Sequence, residues 1–224
     1  MRTHCAALLF DIDGTLVDSS GPIARAWALF IQRYGVDATE LRQISHGRRD
    51  MDIVAHFLPP EQRAEGVRLV RTAELTDLDG LVPVAGALEL INSLGPLPWA
   101  LVTSATVPLA DVRLKAVGLP HADVMVTAED VERGKPDPAG YLLAAGRLGV
   151  DPADCIVVED APAGLAAAAG AGCRTLAVTM THQASELTAA DWIVPDLRSV
   201  RIQPDGAGIT LDIDPILQGA THAS

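Results

Sequence analysis

The sequence predicts an α/β protein: a doubly wound parallel sheet with an all-helical segment inserted after its first strand. Three observations lead there. Short apolar runs bounded by turn residues recur along the chain, helix-like stretches separate the later ones, and the interval from Val17 to Leu81 contains no convincing strand. The 224 residues, 49% of them apolar, are enough for one core domain and a modest insertion.

Taken in order, Cys5 to Phe10 opens the chain as a buried strand and ends on acidic Asp11. Ile23, Trp27, Phe30, Ile31 and Tyr34 then fall at helical spacing with Gly35 as a stop, and Arg63 to Leu75 reads as a further helix. Ser19-Ser20-Gly21-Pro22 and Gly80 to Pro83 mark the two ends of this stretch and read as hinges. The expected division is therefore a helical insertion over residues 17–81 and a core formed by residues 1–16 and 82–224. Within the core, strand-like runs at Trp99 to Thr103, Val124 to Thr127, Cys155 to Val158, Arg174 to Val178 and Trp192 to Val194 alternate with helical stretches. Those stretches are Ala85 to Leu94, Val107 to Val117, Pro138 to Leu148 and Ala163 to Ala171. Beyond Ile202 the tail reads as peripheral. A sheet of this kind carries its chemistry at the carboxyl ends of its strands.

Composition narrows the function. A formal charge of −12 argues against a protein that works by neutralising a nucleic-acid backbone or an anionic bilayer, because both need dense surface Lys and Arg. Only Lys115 and Lys135 supply lysines, so each needs its own explanation. Cys5, Cys155 and Cys173 form no C-x-x-C pair and read as buried small hydrophobes in a reducing compartment. The short N-terminal apolar run fits neither a signal peptide nor a membrane span, so a soluble cytoplasmic protein is expected, as a monomer or small homo-oligomer.

Four segments carry chemistry. Asp11-Ile12-Asp13-Gly14-Thr15 places two carboxylates together at the end of the first strand, which is costly unless a cation or a function holds them there. A hard divalent ion such as Mg²⁺ meets that need. The second carboxylate suits protonation of a leaving oxygen and later activation of water, and Gly14 permits the tight turn. An Asp-Gly turn with no catalytic role is the alternative. Thr103 and Ser104 offer hydroxyls and backbone N–H groups to a phosphoryl oxygen, although such residues also serve as ordinary caps. Gly134-Lys135-Pro136-Asp137-Pro138 fixes a lone lysine in a stiff loop, where an ammonium can face a phosphoryl group. Glu159-Asp160 is a second carboxylate pair at a second strand end, readable also as the acidic cap of the helix that follows Pro162. All four lie at predicted carboxyl ends of strands in one sheet, so they converge on a phosphoryl-transfer site.

In this order the four segments resemble the four motifs of the haloacid dehalogenase superfamily, over nearly the whole chain. The resemblance implies that Asp11 attacks phosphorus to form an aspartyl-phosphate and that Asp13 is the general acid and base. It implies that Thr103 holds the transferring oxygens and that Lys135 neutralises charge there. Mg²⁺ would be bound by Asp11, the backbone carbonyl of Asp13 and Asp160, with Glu159 assisting directly or through water. The insertion is similar to the small helical cap that closes over the site in one branch of the superfamily.

Residues of the insertion are expected to choose the substrate. Ser45-His46-Gly47-Arg48-Arg49-Asp50 is its polar, cationic cluster: His46, Gly47, Arg48 and Arg49 read as substrate contacts beside Thr103 and Ser104, with a plain solvated loop as the alternative. Together with the Trp99 to Ser104 and Gly134 to Tyr141 segments, it is similar to 2-deoxyglucose-6-phosphate phosphatases and related sugar and glycerol-phosphate phosphatases. The expected substrate is thus a small phosphorylated sugar or polyol. Asp13 argues against halide displacement, and the absence of lysine between Val17 and Leu81 argues against the Schiff-base phosphonate hydrolases and demotes the β-phosphoglucomutases. Phosphoglycolate hydrolysis and a non-enzymatic phospho-acceptor remain as alternatives. His4, His121, His182 and His222 show no metal-ligand spacing and are expected to be structural or surface residues; His56 is expected to pack in the insertion.

Overall fold

The computed structural model describes residues 1–206 and 208–218, so His222 lies outside the described residues. Its centre is β2 (Ala7–Phe10), a strand buried along its whole length because both neighbours and both faces are covered. From β2 the chain crosses to β5 (Trp99–Val102) and β6 (Val124–Val126) on one side. It then returns to β7 (Cys155–Glu159), β8 (Arg174–Val178) and β9 (Trp192–Val194) on the other. These six strands are parallel, and β12 (Leu217–Gln218) adds an antiparallel edge beside β9. The order of the sheet reverses direction at β2, so the crevice beyond the ends of β2, β5 and β7 is where this topology opens a site.

The crossovers are α5 (Ala87–Leu94), α6 (Val107–Val117), α7 (Ala139–Leu148) and α8 (Pro162–Gly170). One face of the sheet packs Leu8, Phe10, Ile156 and Val158 against Leu90, Leu94 and Leu114, and the other packs Leu9 and Val157 against Tyr141, Ala144 and Ala168. The small residues on that second face let α7 and α8 lie close to the strands.

Two corrections to the expected core follow. The run Cys5 to Phe10 is two strands rather than one: β1 (Arg2–Cys5) belongs to a separate antiparallel sheet, and the chain bends at Ala6, whose N–H donates to the Asp154 carbonyl at 2.7 Å, before β2 joins the parallel sheet. The tail beyond Ile202 is not peripheral. β10 (Val200–Asp205) and β11 (Gly208–Ile213) form antiparallel ladders, with β11 pairing β1 in the register Arg2 to Asp212 and Cys5 to Ile209. The physical reason lies in the alternation of Ile209, Leu211 and Ile213, whose three side chains enter the same apolar core as Phe10 and Leu90.

The interval after β2 folds as four helices: α1 (Ser20–Tyr34), α2 (Ala38–Ser45), α3 (Asp50–Phe57) and α4 (Pro60–Thr76). Trp27, Phe30, Leu41, Val54 and Val70 meet in a second apolar core of their own. Periodicity did not reveal α2, which buries only Leu41 and depends on Asp37, whose carboxylate accepts from the N–H groups of Thr39 and Glu40 at 2.8 Å. The two ends of the insertion are also tied together. β3 (Val17–Asp18) pairs antiparallel with β4 (Val82–Pro83), so Val17 and Asp18, which gave no strand signal, do form one of two residues, too short to show a period.

The burial of β11 makes a direct prediction. Leu211 is 0% exposed, and Leu211→Ala is expected to lower unfolding stability by about 2–5 kcal/mol in a urea titration; a loss within about 0.5 kcal/mol, typical of surface positions, would restore the peripheral reading.

Candidate active site

A cavity of about 470 Å³ lies between the insertion and the carboxyl ends of the strands. Its floor contains Asp11, Asp13, Thr103 and Asp160 from the core, and its far wall contains Trp27, Ile31, Leu41 and Ile53 from the insertion.

Asp11 follows β2 directly, and its N–H donates to the Val158 carbonyl at 3.0 Å, so the parallel ladder carries on to the residue that bears the carboxylate. Thr103 is placed in the same way one strand over, its N–H donating to Val126 at 2.9 Å while its hydroxyl accepts from Ala105 N–H at 3.0 Å. Lys135 reaches in beneath them. Its ammonium donates to Asp11 Oδ1, to Glu159 Oε1 at 2.6 Å and to the Val102 carbonyl at 3.2 Å. Tyr141 donates to the same Glu159 oxygen at 2.7 Å, and the other oxygen accepts from the N–H groups of Asp160 and Ala161 at 3.0 and 3.3 Å. Gly164 makes this possible: a Cβ there would lie 1.8 Å from Glu159 Oε1.

Asp160 accepts from the hydroxyls of Thr15, at 3.3 Å, and Thr181. Gly14, at φ 82°, turns the chain against it, and a Cβ there would stand 2.1 Å from Asp160 Oδ2. Asp13 is gripped at both oxygens: Ser19 Oγ donates to Oδ1 at 2.6 Å and Arg113 Nη1 to Oδ2 at 2.5 Å. The second nitrogen of Arg113 lies 3.3 Å from Glu74 Oε2, which belongs to α4 of the insertion.

The electrostatics follow from this packing. Asp11 is pushed up to about 7 by burial, with Lys135 opposing and Glu159 and Asp13 adding to the rise. Burial, Glu159 and Asp11 hold the Asp160 carboxyl well above its ordinary range. Lys135 is raised despite its burial, because Asp11 and Glu159 favour its charged form. Asp11, Glu159 and Asp160 offer oxygens within 4.8 Å of one another. Three buried acids against one ammonium leave excess negative charge, and a hard divalent cation suits an all-oxygen donor set of that kind.

The residues expected from the insertion divide. Gly47 and Arg48 border the cavity, and the Gly47 carbonyl accepts from Ser104 Oγ at 2.8 Å, so this contact joins insertion to core. His46 borders it too and stands edge-to-face on His182, with ring centroids 4.9 Å apart, which brings His182 beside the site. Arg49 is not part of that lining; it borders a small separate pocket with Thr103, Ser104 and Lys135. It is buried, forks onto Asp52 at 2.7 and 2.9 Å and donates to the carbonyls of Val131 and Glu132, both at 3.0 Å. His56 pairs with Glu40 at 2.8 Å on the surface of the insertion, His4 lies 2.9 Å from the Thr210 hydroxyl, and His121 lies 3.7 Å from Asp111.

Arg113 and Glu74 were not singled out by the sequence. A signal was present: Leu109, Ala110, Leu114 and Val117 form the buried stripe of α6, and Arg113 stands within it, as Glu74 stands in line with Gly66 and Val70 on α4.

A doubly wound core with acids and a lysine converging at the strand ends, beside a helical insertion, is the framework of a phosphoryl-transfer enzyme. A family model for haloacid dehalogenase-like hydrolases matches residues 5–172, and the chain belongs to that family. Hexitol phosphatase A of Escherichia coli (strain K12) is 40% identical over 211 residues, covering 91% of this chain and 97% of the relative. Glycerol-1-phosphate phosphohydrolase 2 of Saccharomyces cerevisiae is 36% identical, covering 88% of this chain and 84% of the relative. Among solved structures, CbbY from Rhodobacter sphaeroides in complex with phosphate superposes with a TM-score of 0.76 at 26% identity, over 86% of this chain and 95% of the other.

Glu74 gives the site a pH signature. Burial raises its carboxyl from the ordinary 4.5 to about 7, with Arg113 opposing. Between those values the folded chain binds the extra proton, so stability falls as pH rises through that window. Relative to Glu74→Gln, the wild type should therefore lose thermal stability between pH 5 and pH 8; a difference independent of pH would show that Glu74 titrates normally.

Proposed function

We propose that this chain is a Mg²⁺-dependent phosphatase for small sugar and polyol phosphates. The observation that carries the reading is the buried Lys135 held between Asp11 and Glu159, with Asp11 bordering the cavity above it. The names of the relatives, a hexitol phosphatase and a glycerol-1-phosphate phosphohydrolase among them, support the substrate class.

In this reading Asp11 attacks phosphorus, the bond to the leaving alcohol breaks, and Asp13 gives that oxygen its proton. Asp13 then takes a proton from water as the water hydrolyses the aspartyl-phosphate and frees inorganic phosphate and Asp11. Lys135 and the Thr103 hydroxyl and neighbouring N–H groups stabilise charge on the transferring oxygens. Asp11, Asp160 and the Asp13 carbonyl would hold Mg²⁺. Glu159, the third acid of the cluster, would assist directly or through water, and it also orients Lys135. Bound there, the cation would supply charge neutralisation between nucleophile and phosphoryl oxygens.

The helices between residues 17 and 81 act as a cap, and Arg49 fastens it. Its hydrogen bonds to Val131 and Glu132 tie the cap to the loop that carries Lys135, so closure and positioning of the lysine go together. Among the described residues no helix is long and apolar enough to cross a membrane. A reducing cytoplasmic setting suits the three buried, unpaired thiols.

Asp11→Asn is expected to abolish phosphate release without unfolding the chain, EDTA to inactivate it and Mg²⁺ to restore it, and Asp13→Asn to cost about 10²- to 10⁴-fold in turnover; a folded Asp11→Asn protein with full activity would remove the nucleophile. Arg49→Ala should raise KM for sugar phosphates and p-nitrophenyl phosphate alike. A loss confined to sugar phosphates would instead return Arg49 to direct substrate contact.

A further inference from the structure

We infer that Glu74, held in place by Arg113, reads the hydroxyl groups of the leaving alcohol and rejects leaving groups that carry a carboxylate. The inference rests on the phosphatase reading and names what its site selects.

Three observations carry it. First, Glu74 and Arg113 meet at the border of the cavity: α4 of the insertion supplies the acid and α6 of the core the guanidinium. Second, the pair is incomplete as a structural tie. Arg113 Nη2 is fully buried with no hydrogen-bond partner, and its 3.3 Å approach to Glu74 Oε2 is an ion pair without hydrogen-bond alignment. Among the described residues the Glu74 carboxylate pairs with Arg113 but makes no hydrogen bond. Its oxygens are not fully enclosed, so the cavity can bring a donor to them. Third, the placement fits an alcohol. Arg113 holds Asp13 with Nη1, so Glu74 stands one guanidinium's width beyond the group that protonates the leaving oxygen. Hydroxyls on the next carbons of a phosphorylated polyol fall there, with O–H groups to donate to Glu74 and lone pairs to accept from Arg113.

The same carboxylate disfavours an acid. A leaving group such as glycolate would bring its own carboxylate against Glu74 in a largely apolar cavity, where like charges interact more strongly than in bulk water. Arg42 and Arg48 border the cavity as well, but both are exposed, so their attraction is damped by solvent and salt. Asp50, the other acid near this wall, is occupied by the fork of Arg71. Glu74 is thereby the buried acid on the leaving-group side that remains available to hydroxyls.

The test compares glycerol 1-phosphate with 2-phosphoglycolate at about pH 8.5, above the value of about 7 to which Glu74 is raised, so that its carboxylate is charged. In Glu74→Gln, which removes the charge and keeps the shape, the ratio of their kcat/KM values should fall by at least about tenfold from the wild-type ratio. Glu74→Asp, which keeps the charge and withdraws it by one carbon, should lose glycerol 1-phosphate turnover and still exclude phosphoglycolate. A wild-type ratio retained in folded Glu74→Gln, or equal losses on both substrates in Glu74→Asp, would make Glu74 a purely structural partner of Arg113 and overturn the assignment. Affinities for the same two compounds, measured by calorimetry in an Asp11→Asn background, read the preference without turnover. If the wild type releases phosphate from neither compound nor from p-nitrophenyl phosphate, the phosphatase reading fails, and the affinity ratio still decides what Glu74 selects.

Discussion

A buried ammonium shared by two buried carboxylates is the constraint on which this molecule is arranged. Lys135 cannot be separated from Asp11 and Glu159 without stranding a charge in a region that excludes water, a change that typically costs several kcal/mol. Everything around the cluster serves to hold it. The central strand brings Asp11 to the crevice, α7 supplies the Tyr141 hydroxyl, and the first N–H groups after β7 cradle Glu159. Gly164 leaves the space that the Glu159 carboxylate fills. The ladder between β2 and β7 is thus also the scaffold that fixes the spacing of the acids.

The helical insertion meets the core through buried polar contacts rather than through a continuous apolar seam. Its apolar residues gather in their own cluster around Phe30, separate from the cluster around Phe10. The joints are Arg49 on the Val131 and Glu132 carbonyls, Ser104 on the Gly47 carbonyl and Arg113 opposite Glu74. Directional contacts of that kind are made or lost as a set when two bodies separate, whereas an apolar seam slides. If the insertion acts as the proposed cap, contacts of this kind favour discrete open and closed positions, with β3 and β4 at its base.

Much of the fold was legible because the buried strands and amphipathic helices of the core advertise themselves by period, and the strand-end acids by their pairing. Lys135 was legible for a different reason: a lone lysine between Gly134 and Pro136 has little freedom to be a solvated surface residue. What was not legible depended on direction or on distant partners. The sequence shows that Arg49 is a cation in a polar loop but not that its guanidinium turns toward carbonyls 82 and 83 residues away. The tail looked peripheral because its alternating strand finds its partner at the opposite end of the chain, in β1. Arg113 and Glu74 each interrupt an apolar stripe, but only the packing of α4 beside α6 shows that the two interruptions face one another.

This division of the site has a chemical rationale. The phosphoryl group is the same in every monoester, so the groups that handle it sit on the rigid strand ends, where the parallel ladders hold Asp11 and Thr103 in place. The leaving alcohol is what varies, and the residues around it come from helices joined to the core by a few separable contacts. Arg113 connects the two parts. By gripping Asp13 with one nitrogen and facing Glu74 with the other, it ties the proposed proton donor of the core to the acid proposed to read the alcohol. Selection and protonation then draw on one guanidinium, so an alcohol whose hydroxyls satisfy Glu74 also leaves Arg113 free to orient Asp13. In the proposed reaction, an alcohol that carries a carboxylate is opposed in binding by Glu74 and competes with Asp13 for Arg113, so it is disfavoured again in the proton transfer.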